Sequence, residues 1–306
     1  MLEQAPDVVS IYEVSPRDGL QNEGATVALS GKVRLVDALL AAGLRRVEFT
    51  SFVSPRWIPQ LADADQLARL VMAEVPEGVS LSALCPNRRG LERAKNAGVR
   101  EIAVFLSASE THNKKNVNKS IADTLAEFEE TVRPALDHGM KVRGYLSTVW
   151  GCPYEGDVDP KRAIDIAVKL HEMGCYQVSL SDTIGVGTPR QTQEIVKRAK
   201  DALPLDALAM HMHDTRGTAL ANIVVGLEHG VRTFDGSVGG MGGCPYAPGA
   251  AGNVATEDLV YLLHGMGIGT GIDLERLVEA ARVAESIVGR VLPGKVHAAG
   301  LRSLRA

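Results

Sequence analysis

The sequence predicts an α/β protein: a (β/α)8 TIM barrel spanning residues 1–306 as a single domain, with a glycine-rich loop over its C-terminal face and a short C-terminal helical extension. Three observations carry that expectation. Eight short β-prone runs alternate with amphipathic helical stretches, most junctions repeat one helix–glycine–strand phrase, and no long Pro/Ser-rich linker marks a domain boundary.

The first strand is expected in VVSIYEV at 8–14. The repeated phrase then appears as LLAAGLRRVEFT, RAKNAGVREIAVFL, ALDHGMKVRGYL, LHEMGCYQVSL and GLEHGVRTFDGSV. In each, a glycine (Gly43, Gly98, Gly139, Gly174, Gly230) stands where a helix ends and a left-handed residue is needed, and an apolar strand follows. VSLSAL at 79–84 and ALAM at 207–210 complete the set, entered through PEG and PL turns. An open doubly wound sheet is the alternative, but no glycine-rich phosphate fingerprint follows the first strand.

Composition bounds the function. The 306 residues are 45% hydrophobic and 23% charged, and the net charge of −4 gives no global reason to expect nucleic acid. An anionic ligand would need a local basic patch. Cys85, Cys152, Cys175 and Cys244 form no Cys-x-x-Cys pair, so neither a zinc ribbon nor a disulfide scaffold is expected. The start, MLEQAPDVVS, has no signal-peptide pattern, and no apolar run approaches the roughly 20 residues that span a membrane. A cytoplasmic protein, free of membrane and nucleic acid and assembling as a homo-oligomer, is the expected form.

Barrel active sites lie at the C-terminal ends of the strands. There the sequence sets Arg17 and Asp18 in SPRDGLQNE, Glu48 in VEFTSF, Asp182 in SLSDTIG, His211, His213 and Asp214 in LAMHMHDTRG, and the loop GSVGGMGGCPYAPGAAGNVATED after strand eight. On a strand, i and i+2 share a face, so His211 and His213 aim at one spot while Met210 and Met212 face away. Several acids and imidazoles at one rim need pairing or a cation. The imidazole–carboxylate mixture suits zinc, manganese or magnesium, and no thiolate lies near the histidines to favour a soft metal.

The stretches EVSPRDGLQNE (13–23), VEFTSFVSPRWIPQ (47–60), GCPYEG (151–156), SDTIGVGTP (181–189), HMHDT (211–215) and GGCPYAPGAAGNVATEDLVYLL (242–263) carry a resemblance. From about residue 8 to about residue 290 the chain resembles the 3-hydroxy-3-methylglutaryl-CoA lyases, metallolyase barrels related to isopropylmalate and homocitrate synthases. The resemblance implies that Asp18, His211, His213 and Asn253 hold Mg²⁺ or Mn²⁺, that Arg17 meets a developing enolate, and that Glu48 and Asp182 are supporting acids. It implies that Cys244 belongs to a mobile loop closing over substrate, with Glu257 a loop carboxylate. Arg216 stands where the family usually carries tyrosine, and Pro248 and Ala251 also depart, which leaves the acyl group open.

The implied reaction is a retro-Claisen cleavage of a tertiary 3-hydroxyacyl-CoA to acetyl-CoA and a 3-keto acid. It needs a Lewis-acidic template, a cation at the enolate oxygen, a base and a proton donor. Arg17 suits the enolate, Asp18 or His211 the base, and Cys244 the donor. HNKKNVNK at 112–119 offers Lys114, Lys115 and Lys119 to CoA phosphates, or equally a solvated face. A Claisen synthase would use the same groups, but those enzymes usually carry a further C-terminal region, and only about 15 residues follow the last expected helix. A non-catalytic acyl-CoA-binding barrel would be expected to lack one of these residues.

Overall fold

The computed structural model describes residues 5–24, 26–243 and 252–301. Eight parallel strands close on themselves in sequence order: β1 Ser10–Glu13, β2 Arg46–Ser51, β3 Ser80–Leu84, β4 Glu101–Ser107, β5 Lys141–Ser147, β6 Gln177–Asp182, β7 Leu208–Met212 and β8 Thr233–Gly236. The closing pair, β1 with β8, runs in register from Ser10 opposite Thr233 to Glu13 opposite Gly236. This is the (β/α)8 barrel the alternation predicts.

The helices are α1 Leu29–Ala41, α2 Ala64–Val71, α3 Arg88–Asn96, α4 Glu110–Val117, α5 Ile121–Asp137, α6 Pro160–Glu172, α7 Pro189–Ala202 and α8 Ala219–Glu228. After β8 come α9 Thr256–Gly265, α10 Leu274–Val288 and the short α11 Lys295–Ala299. All five junction glycines have positive φ, from 72° to 112°. At Gly43 the constraint is doubled, because a Cβ would lie 2.7 Å from the Gly271 carbonyl oxygen. None of the described helices is long and apolar enough to cross a membrane.

Two residue rows per strand divide the interior. The outward rows, such as Val47 and Phe49 on β2, Ile102, Val104 and Leu106 on β4, and Val178 and Leu180 on β6, are buried in the main apolar core with the helices. Each such side chain removed from water stabilises by about 1.5–3 kcal/mol. The inward rows are unusually polar for a barrel. Tyr12 on β1 reaches across to Glu101 on β4 at 2.8 Å and to Ser82 on β3 at 2.6 Å. Arg143 on β5 is fully buried, lies 4.0 Å from the Tyr12 ring centroid, and donates to Gln177 on β6 and Asp235 on β8. A charged network therefore fills the middle of the barrel and carries the functional rim above it.

Candidate metal centre and catalytic pocket

The chain leaves β1 through a π-helical turn, Ser15–Gly19, in which the Asp18 and Gly19 amides both reach back to the Val14 carbonyl, at 2.7 and 3.3 Å. Such turns re-aim side chains. Here the turn presents Arg17 and Asp18, both buried, to the barrel mouth. Arg17 Nη1 donates to Asp18 Oδ1 at 2.6 Å and its Nε to Glu48, while its guanidinium lies 5.3 Å from the Tyr145 ring centroid. Burial works against the Arg17 charge, yet Glu48 and Asp18 raise its pKa, so it stays a cation. Burial pushes Asp18 up, but Arg17, His211, His213 and Asn253 together hold its carboxyl below the ordinary value.

His211, on β7, and His213, just beyond it, share a face as their spacing predicts: their Nε2 atoms lie 3.2 Å apart. Asp18, His211 and His213 can each offer one ligand atom, all within 4.8 Å of one another. His213 forms an antiparallel bridge with Asn253, flanked by Asp214 N to Gly252 O and Val254 N to Met212 O. That return strand brings Asn253 to the cluster, where its Nδ2 donates to Asp18 Oδ2 at 2.8 Å and to Met241 O at 3.1 Å. Its Oδ1 is buried with no hydrogen-bond partner among the described residues. An orphaned amide oxygen beside one carboxylate and two imidazoles is a donor set that fits a hard divalent cation. Gly242, at φ 110°, is required in this corner, since a Cβ there would stand 2.7 Å from Asn253 Nδ2.

The cluster opens into a cavity of about 570 Å³ also lined by Tyr145, Phe105, Leu84 and the exposed Trp57. Other expected site residues are placed differently. Glu48 is the third residue of β2, not its end; its Oε2 takes Arg17 from below, with Tyr145 Oη 3.4 Å away. Burial raises the Glu48 pKa against the pull of Arg17. Asp182 accepts the Val186 and Gly187 amides at 3.1 and 2.7 Å, so its carboxylate shapes the turn into α7 and does not line the cavity. Asp214 accepts the Ala219 amide at the start of α8 and pairs with Lys295.

Glu257 lies in the first turn of α9 instead of in the loop. It is fully buried, accepts the Gly239 amide at 2.9 Å and pairs with His297 at 2.8 Å, which keeps it out of the cavity lining. Lys114 pairs with Glu110 and Lys119 with Glu127, while Lys115 lies 4.8 Å from the Tyr154 ring centroid; none of the three lines the cavity. Arg216 donates to the Ile184 and Gly185 carbonyls, both at 3.0 Å, and so is tied to the β6–α7 turn. Cys244, with Pro248 and Ala251, lies outside the described residues; Gly243, just before it, lines the cavity.

Sequence reasoning missed Asp235 and its partner Arg143. Asp235 Oδ2 lies 3.2 Å from His211 Nδ1 and accepts Ser179 Oγ at 2.8 Å, and both its oxygens take the Arg143 fork. Burial disfavours its charge, but Arg143 above all brings the Asp235 pKa down to about 2. The available signal was a charged residue inside each of the runs RTFDGSV and KVRGYL.

Comparison with known proteins now places this geometry. The sequence profile of the HMGL-like family matches residues 8–284. The chain belongs to the HMGL-like family. It is 49% identical over 271 residues to the hydroxymethylglutaryl-CoA lyase of Pseudomonas mevalonii, covering 89% of each chain. It is 48% identical to the 3-hydroxy-3-isohexenylglutaryl-CoA/hydroxymethylglutaryl-CoA lyase of Pseudomonas aeruginosa, over 93% of this chain and 94% of that one. A solved HMG-CoA lyase of Acinetobacter baumannii, in complex with coenzyme A and 3-methylmalate, superposes with a TM-score of 0.93 at 36% identity, covering 98% of this chain and 97% of the other.

Proposed function

We propose that this protein is a carbon–carbon lyase that cleaves 3-hydroxy-3-methylglutaryl-CoA to acetyl-CoA and acetoacetate. The observation that carries the reading is the convergence of Asp18, His211 and His213 beside the Arg17 guanidinium on one cavity, with Asn253 bonded to Asp18 behind them. Those four residues would hold Mg²⁺ or Mn²⁺, a divalent charge that would supply Lewis-acid polarisation of a bound hydroxyl. The protein's own groups carry the remaining work.

The 3-hydroxyl proton passes to Asp18, since His211 carries a proton on Nδ1 toward Asp235 and would meet the cation through Nε2; the C2–C3 bond breaks, and C3 becomes the ketone of acetoacetate. The released electron pair enters the thioester as an enolate. Arg17 faces that developing negative charge with a guanidinium already fixed by Glu48 and Asp18, so no reorganisation is needed when the charge appears. Cys244 then gives its thiol proton to C2, completing acetyl-CoA, and regains a proton from solvent. The Pseudomonas aeruginosa relative, named for two substrates of different C3 substituent, supports testing longer 3-alkyl thioesters as well.

The test is acetyl-CoA release from a panel of 3-hydroxy-3-alkylglutaryl-CoA thioesters, with Mg²⁺ or Mn²⁺ and after exhaustive chelation. The expected result is cation-dependent release from the methyl compound. No release with either cation would overturn the reaction assignment; full activity in chelated protein would overturn the cation assignment.

A further inference from the structure

We infer that Asp235, held by Arg143, is a positioning residue that fixes His211 as a ligand through its Nε2 atom; this rests on the proposed cation site. Asp235 stands on β8, His211 on β7, Ser179 on β6 and Arg143 on β5, so four strands meet at one carboxylate inside the barrel. Its orientation is over-determined. Arg143 donates to Oδ1 at 2.6 Å and to Oδ2 at 3.2 Å, and Ser179 donates to Oδ2 at 2.8 Å. Arg143 is itself immobilised, lying 4.0 and 4.8 Å from the ring centroids of Tyr12 and Tyr145 and bonded to Gln177.

Against that fixed acceptor, His211 Nδ1 at 3.2 Å carries the proton, because an acceptor-only carboxylate faces it. The Nε2 atom is then left with its lone pair directed at the cluster, 3.2 Å from His213 Nε2. A carboxylate behind a ligating histidine sets both the ring's tautomer and its rotation, and losing such a partner typically weakens metal affinity 10–100-fold. Arg143 and Asp235 lie too deep in the barrel to line the cavity, which separates this role from any contact with substrate.

A plain structural role, charge balance for the buried Arg143, must be separated from positioning. Asp235→Asn alone leaves Arg143 buried without its counter-charge. The paired variant Arg143→Met with Asp235→Asn removes both charges together. Mn²⁺ affinity is measured by water-proton relaxation and calorimetry on both variants and the unaltered chain, with circular dichroism as the folding control. The expected result is Mn²⁺ binding by the unaltered chain and 10–100-fold weaker binding by the paired variant despite native dichroism. Native affinity in the paired variant would overturn the positioning role and leave Asp235 as a counter-ion alone. Failure of the unaltered chain to bind Mn²⁺ would instead overturn the cation site itself. Independently of any variant's folding, ¹⁵N spectra of the chelated, histidine-labelled chain should show His211 protonated on Nδ1 and bare on Nε2; the opposite tautomer overturns the inference.

Discussion

Asn253 donates to Asp18 Oδ2 at 2.8 Å although 235 residues separate them, joining the return strand after the glycine-rich loop to the π-helical turn after β1. The bond leaves Asn253 Oδ1 as a buried neutral oxygen with no partner among the described residues. Asn253→Asp would set a second carboxylate against Asp18, and like charges at that distance raise one of the two pKa values. The chelated variant should therefore melt below the chelated parent. Added Mn²⁺ should raise the variant's melting temperature by more than the parent's. Equal shifts in both proteins would separate Asn253 from the cation site.

Arg17 is locked between Glu48 and Asp18, so its charge is placed before any substrate arrives. Removing one preorganised donor of this kind costs about 10²–10³ in kcat. Arg17→Gln should lower kcat by that order with a modest change in KM. A raised KM at unchanged kcat would make Arg17 a substrate anchor and not an enolate partner.

The difference between what was legible in the sequence and what was not follows from range. Five of the barrel strands are announced within a dozen residues by a glycine in the left-handed region, and the other three by a short apolar run of their own, so all eight could be placed one at a time. His211 and His213 were likewise readable, because two residues on one strand share a face whatever the fold. The Asp235–Arg143 pair was not, since its partners stand 92 residues apart and meet only when β5 and β8 face each other across a closed barrel. Glu257 shows the converse. Its likeness to a loop carboxylate placed it near substrate, whereas helix α9 begins at Thr256 and turns its carboxylate onto Gly239 and His297.

His112 lies buried at the start of α4, with Nδ1 2.8 Å from Ser107 Oγ, and burial lowers its pKa to about 4. Below pH 6.5 the unfolded chain binds a proton there that the folded chain refuses until about pH 4. Stability is therefore present above pH 6.5 and lost as pH falls through that window, by about 2–3 kcal/mol from this residue. Urea unfolding at pH 7 and pH 4 should show the parent losing that much more than His112→Gln. Parallel losses in the two proteins would contradict a buried neutral imidazole.

Gly239, at the foot of the glycine-rich loop, is held at both ends by the C-terminal segment: Glu257 accepts its amide at 2.9 Å, and its carbonyl accepts the Gly294 amide at 3.0 Å. His297 on α11 completes the clamp, with Nδ1 2.8 Å from Glu257 Oε1 and Nε2 3.3 Å from Glu285. The bond to Glu257 raises the His297 pKa above its ordinary 6.5, against the effect of burial and with help from Glu285. A raised histidine pKa contributes stability that is complete below pH 6.5 and fades as pH climbs through the folded value. His297→Gln should thus cost about 1.5–3 kcal/mol at pH 6, the range for a hydrogen bond to a charged group, and progressively less toward pH 9. Because the clamp grips the foot of the loop that carries Cys244, the variant should also lose kcat at pH 6 while keeping the parent's Mn²⁺ affinity. A variant with unaltered kcat and a stability deficit independent of pH would show that α11 packs against the barrel without governing the loop.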